Sequence, residues 1–161
     1  MANWQKERVV SAAGVYGAAW TDENKLIVTS PDGYSITPCF ADGLQITRLG
    51  SNLPESVGYS DFTHYITEEY PNPIEIFNWD NPVGKARTSD GYLLFLSKDG
   101  ADQEVFIKHQ DDSNYLQVVP LERLENFDLS FSFSPNDECF AVVGSGGVEI
   151  FRREKSANKG L

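Results

Sequence analysis

Side chains able to carry out acid–base or nucleophilic chemistry are few in this chain. Its histidines are His64 and His109, and its cysteines are Cys39 and Cys139. Nucleophilic catalysis pairs a Ser or Cys with a base, usually His, and neither histidine lies in a local signature of that kind. A zinc site needs three or four ligands at short spacings, which these four residues do not supply. We therefore predict no catalytic residue and no resident cofactor.

Carboxylates are abundant, but their spacing does not indicate a metal site. Asp99, Asp102 and Glu104 lie close together around a turn, without the spacing of a calcium-binding loop. The adjacent Glu68 and Glu69 would point to opposite faces of an extended strand, so they are poorly placed to act together as acid and base. We predict that these groups are solvated rather than bound to a metal.

The segment 49–84 combines carboxylates with aromatic rings and contains no Lys or Arg over 36 residues. On a surface, such a segment suits a cationic, partly apolar partner such as a basic protein, because rings anchor interfaces and carboxylates attract bases. The predicted partner-binding residues are Glu55, Tyr59, Asp61, Glu68, Glu69, Tyr70, Trp79 and Asp80. The alternative is that the segment consists of core strands with a solvated acidic turn. In that alternative the ring and the aliphatic side chains of Ile74–Phe77, with those of neighbouring residues, face inward.

The overall charge narrows the class of partner. The chain has 24 acids and 13 bases, which gives a formal net charge of -11. Such a charge repels nucleic-acid backbones and anionic membranes, so neither is expected as a ligand. No run approaches the roughly 18 apolar residues that a membrane helix needs. Association with a second copy of the chain stays open.

The cysteines and the first residues bear on location. Residues 1–8 are polar and mixed in charge, which is unlike a secretory signal. Cys39 and Cys139 are a hundred residues apart in the sequence, outside any CxxC motif. We expect a cytoplasmic protein with two reduced, buried cysteines, and a single bridge between them is the alternative.

Strand–turn–strand patterns recur along the chain. Each has β-branched or aromatic residues on both sides of a turn that contains Gly, Asp or Pro. Four such units are predicted, with strands at 26–29 and 34–36, 64–67 and 74–77, 92–96 and 105–107, and 140–143 and 148–151. The units average about forty residues, which lies in the period range of propeller blades.

The last unit resembles a known family. Phe133-Ser134-Pro135, then the apolar run Phe140–Val143, a Gly-rich turn and Val148–Phe151 resemble the inner strands of a WD40-type β-propeller blade. Residues 20–36 match this pattern in part. The Gly-His and Trp-Asp pairs of that family are missing, and the spacing between units is uneven. The resemblance implies a propeller-like repeat.

The predicted fold is all-β, or β-rich α+β, with an antiparallel meander of about four hairpin units. Helices are expected to be short at most: residues 121–126 can form one or two turns, and residues 3–13 a short helix or a strand. We expect a single domain over 1–151, followed by a polar, frayed tail over 152–161.

The predicted function is a non-enzymatic, cytoplasmic protein-binding domain. One concrete form is a bacterial immunity protein that neutralises a basic toxin, an analogy that rests on composition rather than on homology. The first alternative is a propeller-like scaffold or assembly subunit. The second is a hydrolase whose site is assembled from distant loops, which a pocket holding His64 or His109 against a carboxylate would support.

Overall fold

The protein is described from a computed structural model. It describes residues 2–12, 14–40, 45–49, 55–57, 64–66, 69–70, 72, 74–78, 81–99, 102–122, 124 and 128–154, with backbone only for 46–49, 55–57, 64–66 and 98–99. Within these ranges the regular structure consists of strands, and no helix is present. The predicted all-β class is therefore confirmed. No helix in this part of the chain has the length and apolar character needed to cross a membrane.

The strands follow the alternating and β-branched runs of the sequence. They are β1 (Trp4–Ser11), β2 (Gly17–Trp20), β3 (Lys25–Ser30), β4 (Gly33–Pro38), β5 (Ile46–Leu49), β6 (Glu55–Val57), β7 (His64–Ile66), β8 (Ile74–Glu75), β9 (Tyr92–Asp99), β10 (Asp102–His109), β11 (Asp112–Val118), β12 (Ser130–Phe133), β13 (Cys139–Gly144) and β14 (Gly147–Arg153). The four predicted hairpins correspond to the pairs β3–β4, β7–β8, β9–β10 and β13–β14.

Four antiparallel sheets follow one another along the chain. Sheet I has the order β2-β3-β4-β5, sheet II β6-β7-β8, and sheet III β11-β10-β9. Sheet IV has the order β1-β14-β13-β12, so the first strand of the chain completes the last sheet. Residues 3–13, expected as a short helix or a strand, thus contribute a strand. Its register places Val10 opposite Val148, with an irregularity between Lys6 and Arg8.

Apolar side chains pack the sheets in the spatial order III, IV, I, II. One cluster joins sheets III and IV, with Tyr92 and Ile107 against Phe133 and Phe140. A second cluster lies between sheets IV and I, and a third between sheets I and II. Sheet IV is therefore covered on both faces, which explains why β12, β13 and most of β14 are buried throughout.

A disulfide bond joins Cys39, which follows β4, to Cys139, the first residue of β13. Both cysteines are buried, and their Cα atoms are 6.4 Å apart. The expectation of two reduced cysteines is therefore wrong in this structure. Packing of sheet I on sheet IV brings the two residues together, and a sequence separation of a hundred residues does not reveal that.

Three local expectations need correction. β14 extends to Arg153, and the N–H of Glu154 donates to the carbonyl of Asn3, so the ordered chain passes the predicted boundary at residue 151. Residues 121, 122 and 124 are not helical; the rest of 121–126 and residues 155–161 lie outside the described residues. The strand β11 was not predicted, because its apolar residues point to both sides.

Candidate functional site

The predicted partner-binding residues are only partly described. Tyr59, Asp61, Glu68, Trp79 and Asp80 lie outside the described residues, and the backbone of Glu55 lies in β6. Glu69 and Tyr70 are half-buried and contact sheet I. The hydroxyl of Tyr34 donates to Glu69 Oε2 over 2.9 Å, and that of Tyr70 donates to Glu23 Oε2 over 3.1 Å. These two predicted residues thus tie the chain before β8 to sheet I rather than forming a free surface.

The contact at Tyr70 extends to a surface ion pair. Lys25 Nζ lies 3.3 Å from Glu23 Oε2. The hydrogen bond from Lys25, and then that from Tyr70, lower the pKa of the Glu23 carboxyl below its ordinary value. The same hydrogen bond between Lys25 and Glu23 raises the pKa of the Lys25 ammonium. Glu23 and Lys25 therefore both stay ionised at neutral pH.

Residues 76–78 and 81–85 contact the edge strands of two sheets, β2 of sheet I and β12 of sheet IV. Phe77 exchanges backbone hydrogen bonds with Ala18 of β2. Further on, the carbonyl of Lys85 accepts a bond from the N–H of Phe133, in a short parallel pairing beside β12. Ile76 and Phe77 are 2 % exposed, so the prediction that the rings and aliphatic groups of Ile74–Phe77 face inward holds for these two residues.

Close packing of this segment on β12 depends on a glycine. A Cβ atom on Gly84 would lie 2.6 Å from Ser132 Oγ and 2.7 Å from Ser132 Cβ. That hydroxyl accepts a hydrogen bond from the N–H of Lys85 over 2.9 Å. Glycine thus permits the approach, and Ser132 fixes the register of the segment.

A cavity of about 350 Å³ opens where these elements meet. It is lined by Trp20, Glu75, Ile76, Phe77, Gly84, Lys85, Ser132, Phe133 and Pro135. The indole N–H of Trp20 donates to the carbonyl of Ser132 over 3.0 Å, which fixes one wall. Glu75, one of these lining residues, is exposed. The cavity therefore combines apolar and polar walls, and its lining includes one exposed acidic residue.

The cation of the cavity is neutralised within the protein. Lys85 Nζ pairs with Asp137 Oδ1 and donates to the carbonyl of Pro135. Burial opposes ionisation of Asp137, but hydrogen bonds from Lys85 and Ser89 prevail and lower the pKa of its carboxyl. The ion pair and the hydrogen bond thus hold the Lys85 side chain in place beside the cavity.

The histidines do not complete a catalytic pair in the described structure. His109 Nε2 donates to the carbonyl of Asp90 over 2.8 Å, and the N–H of Asp111 donates to His109 Nδ1. Both ring nitrogens thus bind backbone groups, which indicates a structural role. His64 lies in β7, where its side chain is outside the description. Among the described residues, no group of three or more His, Cys, Asp or Glu side chains could hold a metal ion.

The surface charges are unevenly paired. Exposed carboxylates belong to Asp22, Glu23, Asp32, Glu75, Asp90, Asp102, Glu104, Asp111, Glu122, Asp128 and Glu154. Exposed bases within the described side chains are Arg87 and Lys108. The other described bases are half-buried and bind carboxylates or carbonyls within the protein, as Lys6, Arg8, Lys25, Lys85, Arg152 and Arg153 do. Among the described side chains, exposed carboxylates therefore outnumber exposed bases, although Glu23, Asp90 and Glu122 are themselves paired with bases.

Sequence reasoning identified the acidic character of the surface but missed the cavity. Trp20, Lys85 and Ser132 come from three distant parts of the sequence. Gly84, two residues after Pro82, is a local turn signal, but it does not reveal which strand residues 82–85 contact. Comparison of the chain with protein-family models, with curated proteins and with solved structures found no match.

Proposed function

We propose that this chain is a non-enzymatic protein-binding domain whose partner is a basic protein. The observation that carries the proposal is that, in the part of the chain that the structure describes, exposed carboxylates far outnumber exposed bases. Such a surface accelerates encounter with a cationic partner and disfavours anionic ones. The cavity beside Trp20 adds a recess in which one side chain of the partner is held, and the exposed Glu75 is part of its lining.

The experiment begins with affinity capture on the full chain and identification of the bound protein. Titration of the purified partner by calorimetry then tests the electrostatic basis. We expect the affinity to fall steeply as salt is raised, because exposed charges are screened beyond about 10 Å at 0.1 M salt. Failure to bind any basic protein, or an affinity independent of salt, would overturn the proposal.

A pair of matched variants locates the contact. Glu75→Gln removes one exposed charge from the lining of the cavity, and Asp128→Asn removes one exposed charge elsewhere. Asp128 has a φ of 52°, a conformation that Asn tolerates well. We expect Glu75→Gln to weaken partner binding severalfold and Asp128→Asn to change it little. Equal effects would show that only net charge matters.

Charge reversal at Glu68 and Asp80 tests the acidic–aromatic segment that the sequence singled out. Glu69 is a poorer test position, because it accepts a hydrogen bond from Tyr34 and its reversal would also disturb the contact with sheet I. If the segment contacts the partner, reversal at Glu68 and Asp80 weakens binding and leaves the unfolding midpoint unchanged. Unchanged binding would assign the segment to a solvated turn.

Neutralisation of a basic toxin, as an immunity protein does, is the more specific form of this proposal. Its test is co-expression of the chain with the product of the adjacent gene, which should restore growth if that product is a toxin. A cytoplasmic location belongs to the same proposal. The disulfide between Cys39 and Cys139 argues against that location, since such bonds persist mainly in oxidising compartments. Thiol labelling in intact cells decides between a cytoplasmic location, where both thiols would react, and an oxidising compartment, where the bridge would protect them.

A propeller-like scaffold is the second candidate. Its support is the succession of four antiparallel sheets along the chain, with β1 completing the sheet of β12–β14. Repeated sheets of this kind commonly serve as platforms for assembly. Sedimentation of the purified chain tests it: assembly with itself or with several partners at once favours a scaffold, whereas a strict 1:1 complex favours a simple inhibitor.

A further inference from the structure

Sheet III presents an apolar outer face that the cores described above do not use. Tyr92, Leu94, Val105 and Ile107 point toward sheet IV. The alternate residues of the same strands point away from it, and the register aligns Phe95 with Phe106 and Phe106 with Val118. The rings of Phe95 and Phe106 stack at 5.3 Å. On β11, Leu116 is 59 % exposed and Val118 is 52 % exposed.

Among the described strands, none pairs with the outer edge of sheet III, whereas the corresponding edges of the two four-stranded sheets are paired. In sheets I and IV the third strand, β4 or β14, pairs with a fourth strand. The corresponding strand of sheet III is β11, which pairs only with β10 among the described strands. Its outward N–H and C=O groups are therefore positioned to pair with an added strand.

Carboxylates lie at both ends of this edge. Asp111 lies in the turn before β11, and Asp112 is the first residue of the strand. Glu104 projects from the outer face beyond Val118, at the other end. Two exposed bases lie on this face, Lys108 opposite Leu116 and Arg87 opposite Leu93 at the far side of the sheet. The ammonium of Lys108 lies over the ring of Phe95 at 5.2 Å. The β11 side of the face therefore has an apolar centre with one cation, Lys108, and acidic groups at its two ends.

We propose that the open edge of β11 and the adjoining outer face bind an extended segment of another protein, in which apolar residues are flanked at both ends by Lys or Arg. The added segment would become a fourth strand of sheet III, with its apolar side chains beside Leu116 and Val118. Its terminal bases would lie near Asp112 and Glu104. This docking surface rests on the proposed protein-binding function and specifies the chemistry of the partner.

A second copy of the chain fits the edge less well. Antiparallel pairing of β11 with itself would place Asp111 and Asp112 of one copy near Glu104 of the other. Like charges would then meet at both ends, on molecules that each carry a formal charge of -11. A strand from a different protein, with basic residues at its ends, would instead bring opposite charges together at both ends of the edge.

The test uses the full chain and a defined probe. The probe is a fluorescein-labelled peptide with alternating Val and Thr in its centre and two Arg residues at each end. A matched peptide carries Glu in place of every Arg. We expect saturable binding of the first peptide by anisotropy, with shifts of the β11 amide signals in NMR spectra, and no binding of the second. Absence of saturable binding, or equal binding of both peptides, would overturn the proposal.

Variants of exposed residues test the position of the site. Leu116→Lys combined with Val118→Lys should weaken binding of the Arg-ended peptide by at least about tenfold, a loss of about 1.4 kcal/mol. Tyr16→Lys combined with Val9→Lys makes comparable changes at exposed apolar residues elsewhere and should have little effect. Equal effects of the two double variants would overturn the assignment to β11.

Two further outcomes separate this surface from the proposed function. If the Leu116→Lys, Val118→Lys variant retains its affinity for the captured basic partner while Glu75→Gln loses it, the docking surface is wrong and the protein-binding function stands. If sedimentation detects a dimer that the Leu116→Lys, Val118→Lys variant abolishes, the occupant is a second copy, which also overturns the proposal.

Discussion

Glu149 is a fully buried carboxylate in β14, on the face of sheet IV that packs toward sheet III. Its Oε1 lies 2.7 Å from Lys6 Nζ and accepts a hydrogen bond from the N–H of Glu122 over 3.2 Å. Removal of one partner from a buried ion pair leaves an uncompensated charge, which is far more costly than loss of a surface pair. Lys6 therefore matters to the stability of this face.

Lys6→Met tests this pair. We expect it to lower the free energy of unfolding by about 3 kcal/mol, because Glu149 would be left buried without a counter-charge. Addition of Glu149→Leu should recover much of that loss. Urea denaturation gives the values, and Lys25→Met, at the exposed pair with Glu23, serves as the matched control. A cost of Lys6→Met no larger than the control's would contradict this account of the pair.

Asp90 and Arg153 form a bidentate ion pair between the turn before β9 and the end of β14, at 2.7 and 3.0 Å. The hydrogen bonds from Arg153 lower the pKa of the Asp90 carboxyl from 3.8 to about 2. The guanidinium also lies over the rings of Trp4 and Tyr92. Arg153 thereby secures the last residues of β14, which the sequence predicted as a frayed tail.

The lowered pKa of Asp90 sets a direction for pH dependence. Because the folded protein holds this carboxyl ionised more strongly than the unfolded chain does, the stabilisation is present above about pH 4 and is lost as the pH falls toward about 2. We expect Asp90→Asn to lower the urea midpoint at neutral pH. We also expect the midpoint of this variant to decrease less than that of the native protein as the pH falls from about 4 to about 2. Asp128→Asn should leave the decline unchanged. An unaltered decline in Asp90→Asn would show that this pair contributes nothing.

At the scale of elements, the segment 82–85 shows how a short stretch without regular structure can hold two sheets in place. It runs parallel to β12, while Phe77, shortly before it, pairs with β2. The contact at Gly84 leaves no room for a side chain. This segment also forms part of the cavity wall, so its position controls the shape of the candidate site.

Gly84→Ala tests that contact. The added methyl group would meet Ser132, so we expect a loss of about 1–3 kcal/mol in the free energy of unfolding. Ser132→Gly removes the obstructing side chain, together with the bond from Lys85. The double variant should therefore be more stable than the sum of the single effects implies, as a double-mutant cycle measures. Strict additivity would contradict a direct clash.

The hairpins were predictable because turn residues and β-branched runs specify them locally. β11 was not, for a physical reason. Tyr115 and Gln117 face the Trp4 side of the sheet, whereas Leu116 and Val118 face outward, so apolar residues occupy both sides and the alternation that marks a half-buried strand is absent. The same exposed residues form the proposed docking surface.

At the scale of the whole molecule, early and late parts of the chain are joined in two places. β1 pairs with β14 along nearly its whole length, and the disulfide links the end of β4 to the start of β13. Trp4 of β1 is buried among Tyr92, Phe133 and Phe140. The stack of sheets is therefore fixed by long-range contacts as well as by local hairpins.

Reduction of the disulfide tests how much the bridge contributes to the stability of the fold. In the chain-entropy model, a bridge that closes a loop of about 100 residues stabilises the fold by up to about 5 kcal/mol. We expect dithiothreitol to lower the urea midpoint of the native protein, and to have no effect on the Cys39→Ala, Cys139→Ala variant. Detection of two free thiols in protein denatured without reductant would contradict the bridge.

The sequence by itself determined the all-β class, the four hairpins and the acidic character of the surface. These features follow from local pattern and from composition, which act over a few residues or over the whole chain without regard to contacts. The tertiary structure decided how Glu69 and Tyr70 contact sheet I, where Trp20, Lys85 and Ser132 form a cavity, and which edge stays open. Those features depend on contacts between residues far apart in the sequence, and the order in which the sheets pack decides them.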